Sequence, residues 1–277
     1  MNEHVQPVHR AVVGKGIAHD SAKKHVSGQA VYIDDMADMP GTLHAALILS
    51  PVAKGTLNGV DASEAAAMDG VVAIVTAGDI PGHNDIAPIL SGEPMFADGA
   101  LDYIGMPVGA VAAETFEQAV RAAHAVQFDL TEETPVLDIE EAHARGDHVI
   151  APQRLASGDV DAALEKADRI VEGRLEIGGQ DHFYLETQIA YAIPGEDGDM
   201  TVHSSTQHPT EVQHHVAHVL GGFANAVDVQ VRRMGGGFGG KESQATIIAC
   251  AAALLARKTG RPVRMRLKRS ADMSATG

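Results

Sequence analysis

The chain has 277 residues, 45% of them hydrophobic, which is enough for one large or two medium domains with real cores and excludes a disordered chain. A net charge of −16 excludes a nucleic-acid backbone as the expected partner, because phosphate binding needs a basic surface. No apolar run is long enough to span a bilayer, MNEHVQPVHR lacks the apolar centre of a secretion signal, and the single cysteine, Cys250, forbids an internal disulfide. The expectation is a cytoplasmic protein with no membrane partner and a buried thiol, since Cys250 sits in the apolar run IIACAAALLA.

Residues 1–18 are polar and without periodicity, and read as an N-terminal arm. Gln29 to Ile33 is strand-like, Asp34-Asp35 and Pro40-Gly41 are turn-like, and Leu43 to Leu49 is an apolar strand. Ala62 to Met68 is helical by propensity, and Val71 to Val75 reads as a buried strand broken at Gly78. Val108 to Ala112 is another strand, and the helix after it has Thr115 at its start and Phe116, Ala119, Val120 and Ala123 on one face. A strand over Val126 to Leu130 ends the first unit, which reads as an α+β domain over 19–136.

Residues 137–158 are rich in His, Asp and Gly and read as a linker. The second unit, 159–277, opens on a short helix with Asp159 as cap, then an alternating strand over Ile170 to Ile177. The run Gly178 to Thr187, GGQDHFYLET, reads either as a turn whose aromatics fill a core or as part of a site. A strand over Thr201 to Thr206 ends at Gln207, just before Pro209 and a helix over Thr210 to Leu220, which is where α/β architectures place ligand contacts. Gln207 could equally cap that helix. Glu211, His214 or His215, and His218 have helical metal-ligand spacing, but a solvated polar face is the expected reading.

The strand Val227 to Val231 leads into RRMGGGFGGKES, Arg232 to Ser243, with five glycines among the six residues 235–240. So much glycine at a strand-to-helix junction points to backbone that must come close to a ligand. Two nucleotide motifs fit partly and each lacks a chemical requirement. The dinucleotide fingerprint wants an acidic residue about twenty positions on, and none stands between Glu242 and Asp272. The phosphate loop wants Ser or Thr after its lysine, and Glu242 stands there instead. A buried helix over Ala245 to Leu255 and a strand over Pro262 to Lys268 with basic residues on one face complete the chain. From Arg232 onward ten Lys and Arg face two acidic residues, which points either to a solvated basic strand or to a surface meeting an anionic cofactor or an acidic neighbour.

Three motifs in order, GGQDHFYLET, STQ (Ser205 to Gln207) and GGGFGGKE, resemble the molybdenum-binding subunit of the xanthine dehydrogenase and aldehyde oxidase family, and the ending FGGKE resembles the xanthine dehydrogenase branch. The resemblance implies an α+β fold: a hammerhead-like domain followed by the first part of a molybdenum-cofactor-binding domain. It implies that Gln207 donates a hydrogen bond to an oxygen ligand of molybdenum and that the backbone of Phe238 and Gly239 lies against the same ligands. Glu242 would bond a purine ring or, as the alternative, cap the next helix; Lys241 is left unassigned, since the pattern alone does not say where it points. One departure stands at Gly105-Met106-Pro107, where the family has Gly-Gln-Pro, so that glutamine's role is not carried over.

The implied cofactor is molybdenum-molybdopterin, with [2Fe-2S] clusters and FAD on partner domains or subunits. The implied reaction is hydroxylation of a purine, hypoxanthine or xanthine to urate, with oxygen from water. The family's chains run several hundred residues further, and the glutamate base, an arginine and the aromatics that sandwich substrate are expected beyond Gly277. The expectation is therefore a chain without a catalytic residue of its own, inactive alone and poorly soluble, that joins a C-terminal half and an iron–sulfur/FAD subunit. The alternatives are a scaffold that completes a molybdenum site only with a separate chain, and a nucleotide-binding protein.

Overall fold

The structure, a computed structural model, describes residues 14–276. Most of the expected arm, residues 1–13, lies outside the described residues. The first half runs α1 (Ala22–Ser27), β1 (Leu43–Leu49), β2 (Gly55–Asp61), α2 (Ser63–Ala66), β3 (Val71–Thr76), β4 (Ala100–Leu101), β5 (Pro107–Ala113), α3 (Phe116–Ala125) and β6 (Gln127–Glu132). The second half runs α4 (Ile139–Arg145), α5 (Val160–Glu165), β7 (Ile189–Pro194), β8 (Met200–Ser204), α6 (Pro209–Val219), β9 (Val227–Gln230), α7 (Ala245–Thr259), β10 (Val263–Arg266) and α8 (Arg269–Ala275).

One seven-stranded sheet, in the order β3-β5-β1-β10-β7-β8-β9, takes strands from both sides of the stretch 137–158, and a smaller sheet orders β4-β2-β6. The expected linker therefore does not divide the large sheet. Its seam is the parallel pair β1 and β10, where Leu43 faces Val263 and Ala45 faces Met265. The apolar run of β5 is buried along its whole length, as a central strand between β3 and β1 requires. On one side lies α7, buried at every position from Ala245 to Ala256; a helix that is apolar there at every position but Thr246 has no face to give to water. Gly260, at φ 66°, stops it in the left-handed conformation, and Arg257 and Lys258 stand in its last turn, where a cation is favoured. Cys250, in the middle of α7, is fully buried and its thiol is pushed up by desolvation, so it is an unreactive core residue.

Local signals held where they were self-contained. Thr115 accepts from the Gln118 N–H at the start of α3, and Asp159 accepts from the Ala162 N–H at the start of α5. Two expected strands are not strands. Gln29 to Ile33 runs without regular structure into a 3-10 turn over Ile33–Asp35, because Asp35 folds back to accept the Tyr32 N–H. Ile170 to Ile177 pairs with neither sheet, and Val171, Leu175 and Ile177 stay exposed. Alternation supplies a face but not a neighbour, and a strand needs both.

The basic C-terminal stretch finds its acidic neighbour in the same chain. Arg264, only 6% exposed, donates to the Asp38 carboxylate and to the Ile33 and Met36 carbonyls, and stacks 4.5 Å from the centre of the Tyr191 ring. Arg266 faces Asp34, Arg261 forks onto Glu114, Lys258 reaches Asp79 and Arg232 reaches Asp20. The charge asymmetry along the sequence thus works across the fold, with late cations meeting early anions. These pairs, rather than an anionic cofactor, account for that part of the basic excess.

Candidate functional site

The chain crosses from β8 through α6 to β9, which lies parallel to β8, so the carboxyl ends of both strands open on the same edge. Gln207 follows the first of these ends and the glycine loop follows the second. Sequence separation of about thirty residues is closed by hydrogen bonds: the Gln207 N–H donates to the Lys241 carbonyl at 2.8 Å, and Thr206 Oγ1 donates to the same carbonyl at 3.0 Å.

The Gln207 side chain is then oriented by chemistry. Its Oε1 accepts the Gly239 N–H at 2.9 Å and the Lys241 N–H at 3.3 Å. Two backbone donors fix which end of the amide is oxygen, and they leave Nε2 of this exposed residue as a pair of donors not used in holding the loop. Helix capping is not its role: the N-cap of α6 is His208, without a side-chain cap, and Pro209 occupies the first helical position.

The glycines are needed for a reason that a motif cannot display. A Cβ on Gly237 would stand 2.6 Å from Gln207 Oε1, one on Gly235 would stand 2.4 Å from the Glu186 Cβ, and one on Gly240 would stand 2.7 Å from His182 Nδ1 and 2.8 Å from Tyr184 Cε1. These three glycines leave room for the protein's own side chains. Gly236 and Gly239 also sit at φ 96° and 100°, where other residues are strained. Phe238 adopts φ 55° between them and is 74% exposed, an unusual backbone and an unusual surface for an aromatic.

Beneath the loop lies a polar cluster that the sequence reading did not single out. Lys241 is wholly buried, with Glu186 and Ser205 as partners. Desolvation lowers the pKa of its ammonium, and the Glu186 carboxylate opposes that shift. Tyr184 donates to Asp272 at 2.9 Å and accepts from Gln188 Nε2 at 3.1 Å, and burial pushes its phenol up to about 12. Gln188 Nε2 also donates to the Gly240 carbonyl at 2.9 Å, so the aromatic of GGQDHFYLET belongs to the floor of the loop. Ser205 and Glu186 lie inside motifs quoted for the resemblance, which was the available signal; a lysine between glycines and a glutamate gives none of its burial.

Among the residues expected at the site, Gln207 and Gly239 are joined directly, Phe238 is exposed beside them, and Glu242 is exposed at the end of the loop with its N–H directed to the Gly239 carbonyl at 3.4 Å. Glu242 does not cap α7, whose N-cap is Gln244. The metal-like spacing on α6 resolves into other contacts: Glu211 meets His208 at 2.9 Å and His218 packs edge-on to His83. Among the described residues no group of three His, Cys, Asp or Glu is placed to hold a metal ion. An oxygen-clamped amide with unused donors, beside a glycine edge that presents backbone, can offer hydrogen bonds to an oxygen-bearing group.

Two family models divide nearly all of this chain between them: the aldehyde oxidase and xanthine dehydrogenase a/b hammerhead domain over residues 27–134, and the molybdopterin cofactor-binding domain over residues 142–277. The chain belongs to the xanthine dehydrogenase and aldehyde oxidase family. Within that family it is similar to xanthine dehydrogenase/oxidase of Gallus gallus, 42% identical over 96% of this chain, and to aldehyde oxidase 3 of Mus musculus, 39% identical over 96%. It spans 20% of the length of each. Among solved structures, quinoline 2-oxidoreductase from Pseudomonas putida 86 matches with a TM-score of 0.80 and 25% identity, over 94% of this chain and 35% of that one. The expected fold is thus the family's own, an α+β pair of hammerhead and molybdopterin-binding domains, and Gln207, the glycine loop and its polar floor all lie in the second. Among the described residues no helix is long and apolar enough to cross a membrane.

Proposed function

We propose that this chain supplies the cofactor-facing wall of a cytoplasmic xanthine dehydrogenase, which converts hypoxanthine and xanthine to urate. In that reaction a purine C–H and one water become C–OH, two protons and two electrons. The molybdenum cofactor, when bound, supplies the centre that takes up the two electrons, which pass on to [2Fe-2S] and FAD centres carried by partner domains or an iron–sulfur/FAD subunit. The observation that carries the reading is the clamped Gln207 amide, whose oxygen is held by the Gly239 and Lys241 N–H groups so that Nε2 is kept as donor. Gln207 Nε2 and the backbone of Phe238 and Gly239 would hold the cofactor's oxygen-bearing side. Glu242, exposed at the end of the loop, would orient the substrate by hydrogen bonds to the purine ring. The catalytic base and the aromatic walls of the substrate pocket would come from the C-terminal half with which this chain assembles.

Glu242 separates purine from aldehyde chemistry. In the full enzyme Glu242→Ala lowers kcat/KM for xanthine roughly 10- to 100-fold, the loss of a charge-assisted hydrogen bond, while a simple aldehyde is turned over as before. Urate formed in oxygen-18-labelled water carries the label. Turnover of aldehydes with no turnover of xanthine by the unsubstituted enzyme contradicts the purine assignment.

A second reading is a scaffold chain that completes a molybdenum site only with a separate polypeptide. It is favoured by one observation: from Leu137 to Phe183 every residue but Ala142 and Ala162 is exposed, and Val149, Leu155, Val171 and Leu175 show bare apolar surface. Activity that appears only on mixing two separately purified chains would select it.

A further inference from the structure

Lys241 is the one wholly buried lysine among the described residues, and the roles above leave it without a function. A lysine that ends a glycine loop ordinarily reaches out to a phosphate. Here it points inward. Its Nζ donates to Glu186 Oε2 at 3.1 Å and to Ser205 Oγ at 2.8 Å, and lies 4.7 Å from the centre of the Tyr184 ring. Ser205 Oγ donates to the same Glu186 oxygen, which also accepts the Gly235 N–H at 2.9 Å; the Glu186 N–H in turn donates to the Gly235 carbonyl at 3.1 Å.

Glu186 therefore grips the first glycine of the loop by both backbone groups, and Lys241, which follows the last glycine, grips Glu186. The main chain of Lys241 holds Gln207 by two hydrogen bonds, one through its carbonyl and one through its N–H. Entry to the loop, exit from it and the Gln207 amide are thus tied through a single residue. The other carboxylate oxygen, Glu186 Oε1, is buried with no partner among the described residues, so the stability of the carboxylate in this place rests on the three donors at Oε2.

We propose that Lys241 is a positioning residue, whose buried ammonium closes the glycine loop on itself through Glu186 and so fixes the direction in which Gln207 presents its amide donors. The inference rests on the reading of Gln207 and the loop as the cofactor site. It assigns to the lysine of the FGGKE motif a task inside the protein rather than contact with cofactor or substrate.

The test uses the full enzyme with Lys241→Met, which keeps an unbranched side chain without the charge, and with Lys241→Met combined with Glu186→Gln, which removes the carboxylate left unpaired. Two readouts are taken: deuterium exchange of the backbone amides in residues 232–242, and molybdenum bound per chain. The expected result for Lys241→Met is about tenfold faster exchange in 232–242 and about tenfold less molybdenum, with the amides inside α7 protected as before. The double variant recovers more than half of both. Unchanged exchange in 232–242, or an equal rise in the loop and in α7, overturns the proposal. Should Lys241→Met not fold, Ser205→Ala removes the third member without stranding a charge and is expected to give the same pattern, about threefold in each readout. If the unsubstituted enzyme binds no molybdenum, the cofactor reading fails, and exchange in 232–242 still decides whether Lys241 sets the loop.

Discussion

Gly237→Ala is expected to remove most of the enzyme's molybdenum-dependent turnover while leaving its stability nearly intact. The added Cβ would stand 2.6 Å from Gln207 Oε1 and 2.8 Å from its Cδ, too close for either atom to stay. The obstacle is the end of a flexible side chain, so the conflict is relieved by swinging Gln207 aside, and the unfolding free energy changes by less than about 1 kcal/mol. The swing breaks the bonds from the Gly239 and Lys241 N–H groups and takes the Nε2 donors out of place. A misplacement of ~1 Å at a positioned donor costs on the order of 10²-fold in rate, and that is the expected fall in kcat. Gly173→Ala, which meets nothing within 4 Å, is the control and should leave both quantities unchanged. A variant with full turnover would mean that the orientation of Gln207 does not matter.

The largest loss of stability is expected from Arg264→Ala. Its guanidinium satisfies two backbone carbonyls and the Asp38 carboxylate at once, and it covers the Tyr191 ring. Truncation takes the Arg264 donor from the part-buried Met36 carbonyl and leaves the Ile33 carbonyl with only the Met36 N–H, at 3.2 Å. Breaking a buried, hydrogen-bonded pair costs about 3–5 kcal/mol; because Asp38 is itself 45% exposed and can return to water, about 2–4 kcal/mol is expected here. Urea unfolding followed by circular dichroism reads this as a lower midpoint with an unchanged slope. Lys in place of Arg264 should recover only part of the loss, since a single ammonium cannot fork across three acceptors. A change within ~0.5 kcal/mol, typical of a surface site, would contradict the view that this arginine fastens residues 33–38 to the large sheet.

These two sites show what can and cannot be read along a chain. Elements whose cause is local were legible: the apolar runs of β1 and β5, the wholly apolar face of α7, and the caps Thr115 and Asp159 each carry their reason within a few residues. The alternation of residues 170–177 is equally local, and there the missing ingredient is a neighbouring strand. Arg264 could be read only as part of a basic stretch, because its partners stand more than two hundred residues away. The glycine loop and Gln207 stood out as a candidate site through motifs, but the reason for three of the glycines was not legible. Their missing Cβ atoms make room for Glu186, Gln207, His182 and Tyr184, a tertiary fact that spacing alone does not contain. The floor of the site was hidden for the same reason, since a lysine between Gly240 and Glu242 has no local signature of complete burial.

We propose the edge formed by Gln207 and the loop at Phe238 and Gly239 as a molybdenum-cofactor wall. Its most direct test is elemental analysis together with native mass spectrometry on the protein purified without a tag from its own host. Stoichiometric molybdenum and a mass that includes the pterin cofactor are expected, both greatly reduced in Gly237→Ala and retained in Gly173→Ala. Protein that is folded and assembled with its partners but free of molybdenum and pterin would contradict it.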